Sequence, residues 1–119
     1  MTATLVELDE GEGAEVAVVH VRADLDATVV PTLRETLTDA VDRHRHVVVD
    51  LSAVPTLDDA GLGLLVRAHR RARRHDGMVV FAGPSRFVIT VLHTMHVDGL
   101  FPIFDDCDAA LEWLRAETS

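Results

Sequence analysis

Residues 47–65, VVVDLSAVPTLDDAGLGLL, constrain the fold more than any other part of the chain. Three consecutive valines lead into Asp50 and Leu51, as in a strand whose two faces are both buried. Pro55 interrupts this pattern. Asp58 then has a side chain suited to cap a helix, a contact worth about 1 kcal/mol. The stretch therefore predicts a buried central strand, a short loop, and a helix that begins at Asp58.

Gly61 and Gly63 lie inside the first turns of the predicted helix, where each glycine costs about 1 kcal/mol relative to alanine. Two interpretations of this cost remain open. The helix packs tightly on the sheet, or the backbone of a partner or a ligand comes close to it. Asp59 lies in the first turn, where the helix dipole favours a negative charge by roughly 0.3 to 1 kcal/mol.

The segment DLSAVPTLDDAGLGLL resembles the signature of STAS domains, which occur in bacterial anti-sigma-factor antagonists and in the tails of sulfate transporters. Asp58 matches the aspartate of that pattern, and residues 61–63 match its Gly-Leu-Gly run. Asp59 occupies the position of the phosphorylatable serine, and Ala60 replaces the hydroxyl residue that follows it. The segment ADLDATVVPTLRETL is similar to the family's first helix and its approach, and LFPIFDDCDAALEWL is similar to its last strand and helix.

The resemblance implies an α/β, STAS-like fold over residues 1–119, as one domain. We expect a mostly parallel mixed β-sheet with an N-terminal hairpin and about four helices packed against it. Hydrophobic patterns agree with this expectation. The hairpin comprises short β-rich runs at 5–8 and 16–21, separated by a turn cluster at 9–13, and its first strand is expected at an edge of the sheet.

Further elements follow along the chain. A helix is predicted from apolar spacing around Leu33 and Leu37, with Asp26 or Thr28 as a candidate cap. A strand at 78–82 precedes a helix introduced by residues 83–85. That helix carries apolar residues at helical spacing, namely Phe87, Val88, Val91, Leu92 and Met95. A last strand at 102–104 precedes a helix capped by Asp105 or Asp106.

The function implied by the resemblance is that of a non-catalytic, protein-binding regulatory module in bacterial transcription or signalling. Its partner would be an anti-sigma factor or the kinase domain of one. In the family, the unphosphorylated serine form binds and phosphorylation releases the partner. The residues expected to bind the partner lie at the start of the central helix and in a neighbouring loop: Asp24, Asp26, Leu57, Asp58, Asp59, Ala60, Gly61 and Leu62.

Asp59 makes the regulatory state an open question. A phosphoserine carries about -1.5 to -2 charge and three acceptor oxygens, whereas Asp59 carries one charge on a shorter, planar group. The mimicry is partial. The protein is either locked in a released-like state, or its partner has adapted to the carboxylate and binds constitutively.

Two other α/β interpretations are less favoured. The first is a small-ligand or nucleotide sensor that uses the helix N-terminus at residues 58–61 as an anion site, but the Asp59 carboxylate repels phosphate. The second is a phosphoryl-accepting receiver domain with Asp50 at the end of its central strand. Receiver domains use a lysine after their last strand, and this chain contains no lysine.

The overall charge excludes some partners. Eleven basic and twenty acidic residues give a formal net charge of -9, which opposes binding to nucleic acid. No apolar run approaches the roughly 20 residues needed to cross a bilayer, so we expect a cytoplasmic protein without a membrane partner. We expect a monomer or a weak homodimer.

Chemistry-bearing residues do not form a recognisable motif along the chain. Among seven histidines, His93 and His96 share a helix face, but no ligand set of familiar spacing includes them. Cys107 is the only cysteine; the start of a helix could acidify its thiol, but a passive thiol is favoured. We therefore expect no enzymatic activity, no cofactor and no metal site.

The polar and apolar sides of the central helix have ordinary interpretations. Its arginines at 67, 70, 71 and 74 predict a solvated basic face, with an acidic partner as the alternative. His69 falls within the apolar arc, which favours a partly buried histidine with satisfied hydrogen bonds over a ligand.

Overall fold

The computed structural model describes residues 5–10, 15–97 and 99–118. Its strands are β1 (Val6–Asp9), β2 (Val16–Val21), β3 (His46–Asp50), β4 (Met78–Ala82) and β5 (Ile103–Phe104). Its helices are α1 (Val30–Arg43), α2 (Asp59–Arg73), α3 (Arg86–Thr94) and α4 (Cys107–Thr118).

The five strands form one sheet in the order β1-β2-β3-β4-β5. β1 pairs antiparallel with β2, whereas the other neighbouring pairs are parallel. This arrangement confirms the predicted mostly parallel mixed sheet, the N-terminal hairpin with its first strand at an edge, and the number of helices. Residues 11–14 of the hairpin connection, and so most of the turn cluster, lie outside the described residues.

β3 is the middle strand, and both of its faces are buried as predicted. Val47 and Val49 pack in the larger core cluster, with residues from α1, α2 and α3. Val48 points to the opposite face and packs with Ala110 and Leu114 of α4. The alternation follows from the pleat, which directs successive side chains of a strand to opposite faces.

Three helices cover one face of the sheet because each connects a strand to its parallel neighbour in the same direction. Right-handed crossovers of this kind place their helices on the same side. α4 follows the last strand, makes no crossover, and packs on the other face against β2, β3 and β4. The carboxyl ends of the parallel strands therefore lie at one edge, where the loops to α1 and α2 begin.

Local details differ from the sequence expectations in two helices. α1 begins after Val29, and neither candidate side chain caps it. Instead, Asp26 Oδ1 accepts a hydrogen bond from the Thr28 amide at 3.0 Å, so Asp26 shapes the approach turn. In α3, only Val88 and Leu92 are buried. Phe87 is 56% exposed, although it belongs to the apolar residues at helical spacing.

Within the described residues, none of the helices combines the length and the apolar character needed to cross a membrane.

Candidate functional site

The N-terminus of α2 is held by Asp58. Its Oδ1 accepts a hydrogen bond from the Gly61 amide at 3.0 Å, and its carbonyl accepts from the Leu62 amide at 2.9 Å. The first bond satisfies an amide that has no carbonyl partner inside the helix, and the second is the first regular hydrogen bond of the helix. The predicted cap is confirmed, and Asp59 becomes the first residue of the helix.

The loop between β2 and α1, residues 22–29, lies directly against this helix start. The Leu25 amide donates to the Thr56 carbonyl at 2.9 Å, and the Leu25 carbonyl accepts from the Asp58 amide at 3.1 Å. Leu25 and Leu57 thereby form a short parallel bridge, and both side chains are buried. Because Leu25 is anchored, Asp24 and Asp26 on either side of it are carried to the start of α2.

The close approach of this loop explains Gly61. A Cβ atom on Gly61 would lie 2.3 Å from the Leu25 carbonyl oxygen, a separation that real Cβ atoms do not tolerate. The backbone that comes close to Gly61 is therefore the protein's own loop, which was not among the interpretations considered from the sequence.

Gly63 has a different environment. The nearest atom to a Cβ built there is Arg67 Nη1, at 3.4 Å, which is an ordinary contact with the end of a flexible side chain. Packing within the protein does not require a glycine here. Gly63 follows Asp59 by one helical turn, so the two residues share a face of α2. A bare backbone therefore lies beside the Asp59 carboxylate.

The expected partner-binding residues divide by exposure. Asp24, Asp58, Asp59 and Ala60 are exposed, and Asp26 is half-buried. The other three are buried and form the framework behind them: Leu57, Gly61 and Leu62. The structure thus brings all eight residues to one region, but only the first five are available for contact. We call these five residues, together with the half-buried Gly63, the acidic face: Asp24, Asp26, Asp58, Asp59, Ala60 and Gly63.

Asp59 carries an uncompensated charge on this face. Across residues 5–10, 15–97 and 99–118, no ion pair involves its carboxylate. The helix dipole is the local source of stabilisation for this charge. A basic group of a partner could therefore form an ion pair with Asp59 without first displacing a cation of the protein itself.

The basic stripe of α2 lies on a different part of the surface. Arg67, Arg70, Arg71 and Arg74 are exposed and, with Arg34 of α1, line a groove between the two helices with a cavity volume of about 380 Å³. Arg71 bridges the helices, because its Nε and Nη2 lie 2.6 and 2.9 Å from the two carboxylate oxygens of Asp42. This geometry agrees with a solvated face that also ties α2 to α1.

A cluster that the sequence analysis missed lies at the carboxyl edge of the sheet, on the face covered by α4. His20 Nδ1 lies 2.6 Å from Asp50 Oδ2, and Cys107 is close to both. These three residues are far apart in sequence, so spacing along the chain did not connect them. The available signal was Asp50 at the end of a central strand, and strand register was needed to find its neighbours.

Titration of two members of this cluster is shifted by their surroundings. Burial opposes ionisation of Asp50, but hydrogen bonds from Ser52 and His20 outweigh it and hold the pKa of Asp50 below its usual value. Burial, with the nearby Asp50, raises the pKa of the Cys107 thiol to about 11. Burial and the neighbouring carboxylates therefore outweigh any acidifying effect of the helix start, and the thiol is protonated at neutral pH, as a passive thiol is.

Solved structures with the same fold include proteins of more than one kind. An anti-sigma factor antagonist from Mycobacterium paratuberculosis has a TM-score of 0.81 and 26% identity over 92% of each chain. The Bacillus anti-sigma factor antagonist SpoIIAA, in its unphosphorylated form, has a TM-score of 0.81 and 18% identity over 93% of this chain and 96% of that one. The murine anion transporter Slc26a9 has a TM-score of 0.76 and 15% identity over 89% of this chain, but only 18% of the transporter.

The family assignment depends on the sequence as well as on the fold. A sequence model of the STAS domain matches residues 6–110, which extend from β1 into α4 and include the acidic face. With the capped α2 helix and the sheet order in agreement, the chain belongs to the STAS domain family.

Proposed function

We propose that this STAS domain is a non-catalytic regulatory module, similar to an anti-sigma-factor antagonist, that acts in the bacterial cytoplasm. Its partner is an anti-sigma factor or the kinase domain of one, and it binds as a monomer or a weak homodimer. The acidic face is the proposed contact surface, with Asp59 at the position where other family members carry a phosphorylatable serine.

The observation that carries the proposal is the exposed carboxylate of Asp59, which has no ion-pair partner among the residues that the structure describes and lies beside the bare backbone of Gly63. Asp24 and Asp26 add negative charge from a loop that is fixed to the same helix start by main-chain hydrogen bonds. Because these hydrogen bonds already fix the loop backbone, less ordering is needed on binding, which lowers the entropic cost of association. Opposite charges on the partner would also raise the rate of encounter.

We favour a released-like state, in which Asp59 acts as a partial phosphoserine. A kinase domain adapted to an uncharged serine would then meet a carboxylate and have to desolvate it without a partner cation. Such a charge costs free energy unless it is paired. The competing state is constitutive binding to a partner that supplies a cation for Asp59.

The sensor alternative is less well supported. An anion at the N-terminus of α2 would compete with Asp58 for the Gly61 amide, which is already bonded at 3.0 Å. It would also lie close to the Asp59 carboxylate. Both effects weaken the anion site that a free helix N-terminus would offer.

The test is a titration of wild type and Asp59→Ser against two partners, namely a family-type anti-sigma kinase and the protein that co-purifies from the native cell. In the released-like state, Asp59→Ser binds the family-type kinase more tightly and gains a phosphorylation site. In the adapted state, it binds the native partner more weakly by about 1.5 to 3 kcal/mol, as for a lost hydrogen bond to a charged group.

Asp108→Ser is the matched control, because Asp108 is also an exposed aspartate in the first turn of a helix, α4. It removes the same charge at another place and is expected to leave both affinities unchanged. Each variant loses at most about 1 kcal/mol of dipole interaction and stays folded. Equal affinities for wild type and Asp59→Ser towards both partners would contradict the proposal.

A further inference from the structure

Three side chains of metal-ligating type converge at the carboxyl edge of the sheet, outside the acidic face. One ligand atom from each of His20, Asp50 and Cys107 can be chosen so that all three atoms lie within 4.8 Å of one another. We infer that this cluster, which we call the β2-β3-α4 site, binds a divalent cation of the zinc type.

The strand register explains why the first two residues meet. β2 and β3 are parallel, and His20 is the direct partner of Asp50. Val18 and Val48, two residues earlier on each strand, pack on the face covered by α4. Since alternate residues of a strand share a face, His20 and Asp50 point to the same side.

The third residue comes from the helix that covers this face. Cys107 is the first residue of α4, and it packs beside the apolar cluster that joins α4 to the sheet. α4 is held there by the buried side chains of Ala110 and Leu114. The thiol is therefore positioned by the fold and not by a mobile loop.

The carboxylate of Asp50 is oriented by its neighbours. Its Oδ1 accepts hydrogen bonds from the Ser52 amide at 3.0 Å and from the Ser52 hydroxyl at 2.7 Å, which leaves Oδ2 directed to His20. Contacts of this kind from outside the ligand set fix the orientation of metal ligands. The side chains of His20 and Asp50 are 22% and 18% exposed, so a cation has a path from solvent.

The donor atoms select the cation. Calcium and magnesium prefer oxygen ligands only, whereas zinc accepts nitrogen, sulfur and carboxylate oxygen together. Ligand atoms around a tetrahedral zinc are about 3.5 Å apart, given bond lengths of about 2.0 to 2.3 Å. To reach this value, the spacing of up to 4.8 Å within the cluster has to close, and the 2.6 Å separation of His20 Nδ1 and Asp50 Oδ2 has to open. Cys107 binds as the thiolate and gives its proton to solvent.

Three protein ligands leave a fourth position for water or for a group of another molecule. The expectation of no metal site was based on the spacing of ligands along the chain. Such spacing does not reveal this site, because each of its three ligands comes from a different, distant segment. It is also separate from the proposed partner surface, so either proposal can fail without the other.

Cobalt(II) is the probe of choice, because the chain has a single cysteine. Any thiolate-to-cobalt charge-transfer band in the near ultraviolet therefore reports on Cys107 alone. We expect chelator-treated, reduced protein to develop this band on titration with cobalt, to saturate at one equivalent, and to lose it on addition of zinc. The melting temperature is expected to rise with zinc.

The variants separate this site from adventitious binding by the other histidines. Cys107→Ser is expected to abolish the band. His20→Gln and Asp50→Asn are each expected to weaken cobalt binding by at least about tenfold, because even the loss of a residue that only hydrogen-bonds a metal ligand lowers metal affinity by about that factor. His75→Gln removes an exposed histidine elsewhere and is expected to bind cobalt like wild type. Asp59→Ser is also expected to keep the band.

Two results would overturn the inference. One is wild-type protein that shows no thiolate band at saturating cobalt, which can be read without any variant. The other is a band whose midpoint is unchanged in both His20→Gln and Asp50→Asn, because Cys107 would then bind the metal without the rest of the cluster.

Discussion

Gly61 and Gly63 are two residues apart in α2, yet the atoms around them set opposite requirements. The Leu25 carbonyl oxygen fills the space where a Gly61 side chain would be, whereas Gly63 meets only the end of the Arg67 side chain. The first glycine is required by the fold. The second lowers helix stability by about 1 kcal/mol without a packing reason, which suits a surface kept clear for a partner.

Alanine substitutions test this difference. We expect Gly61→Ala to destabilise the protein by about 1 to 3 kcal/mol, because the added methyl group forces the loop at Leu25 away from α2. Gly63→Ala is expected to stabilise it by about 0.5 to 1 kcal/mol through helix propensity. Urea denaturation measures both values, and a Gly61→Ala variant as stable as wild type would show that the loop moves without cost.

The residue scale also shows what the sequence can predict. Asp58 is recognisable as a cap because its carboxylate and the amide that donates to it lie within one helical turn, so the signal is local. The role of Gly61 depends on Leu25, which is far away in sequence. No local pattern distinguishes a glycine that meets a distant loop from one that meets solvent.

At the scale of elements, His69 joins α2 to β4. Its Nδ1 accepts a hydrogen bond from the Val79 amide at 3.3 Å, and its ring contacts Phe101 edge-on with a centroid separation of 5.0 Å. The histidine is buried and has a hydrogen-bond partner, as the apolar arc predicted. Burial, assisted by the charge of Arg73, lowers the pKa of His69 below its ordinary value of 6.5.

This shift predicts a loss of stability in acid. The unfolded chain takes up the His69 proton near pH 6.5, whereas the folded protein takes it up only at lower pH. The contribution of neutral His69 to the free energy of unfolding is therefore complete above pH 6.5. It is lost as the pH falls from there towards the pKa of His69 in the folded protein. We expect His69→Gln, whose amide oxygen can accept from Val79, to lose less stability than wild type over this interval.

Denaturation curves at several pH values provide the measurement. Since the chain contains six other histidines, the quantity of interest is the difference in the free energy of unfolding between wild type and His69→Gln. A difference that stays constant with pH would mean that His69 is protonated equally in both states.

The starts of α1 and α2, which both follow the carboxyl ends of parallel strands, illustrate the limits of local sequence signals. α2 begins where a capping side chain predicts it. α1 begins at Val30 without a side-chain cap. Instead, the main-chain carbonyl of Asp26 accepts hydrogen bonds from the amides of Val29 and Val30. The position of α1 is set by burial of Leu33 and Leu37 against the sheet, which overrides the choice of cap.

At the scale of the whole molecule, the proposed match of Asp59 to the family's serine position predicts resistance to phosphorylation. Ser52 and Thr56 are exposed hydroxyl residues near α2, but under this proposal neither is at the acceptor position, and the Ser52 hydroxyl is bonded to Asp50 at 2.7 Å. Incubation with ATP and a kinase that modifies an ordinary family member is expected to leave the protein unmodified, as judged by intact mass. Asp59→Ser is the positive control, and one added phosphate on wild type would contradict the expectation.

Short segments of the sequence were enough to predict the class of fold, the buried β3 strand, the capped start of α2 and the family. These properties depend on hydrophobic period, helix caps and motif spacing, all of which are written within short segments. Only the folded chain shows that Leu25 meets Gly61, that three expected partner residues are buried, and that His20, Asp50 and Cys107 lie together. The physical reason is that strand register and helix placement bring together residues distant in sequence, and they result from the packing of the whole core.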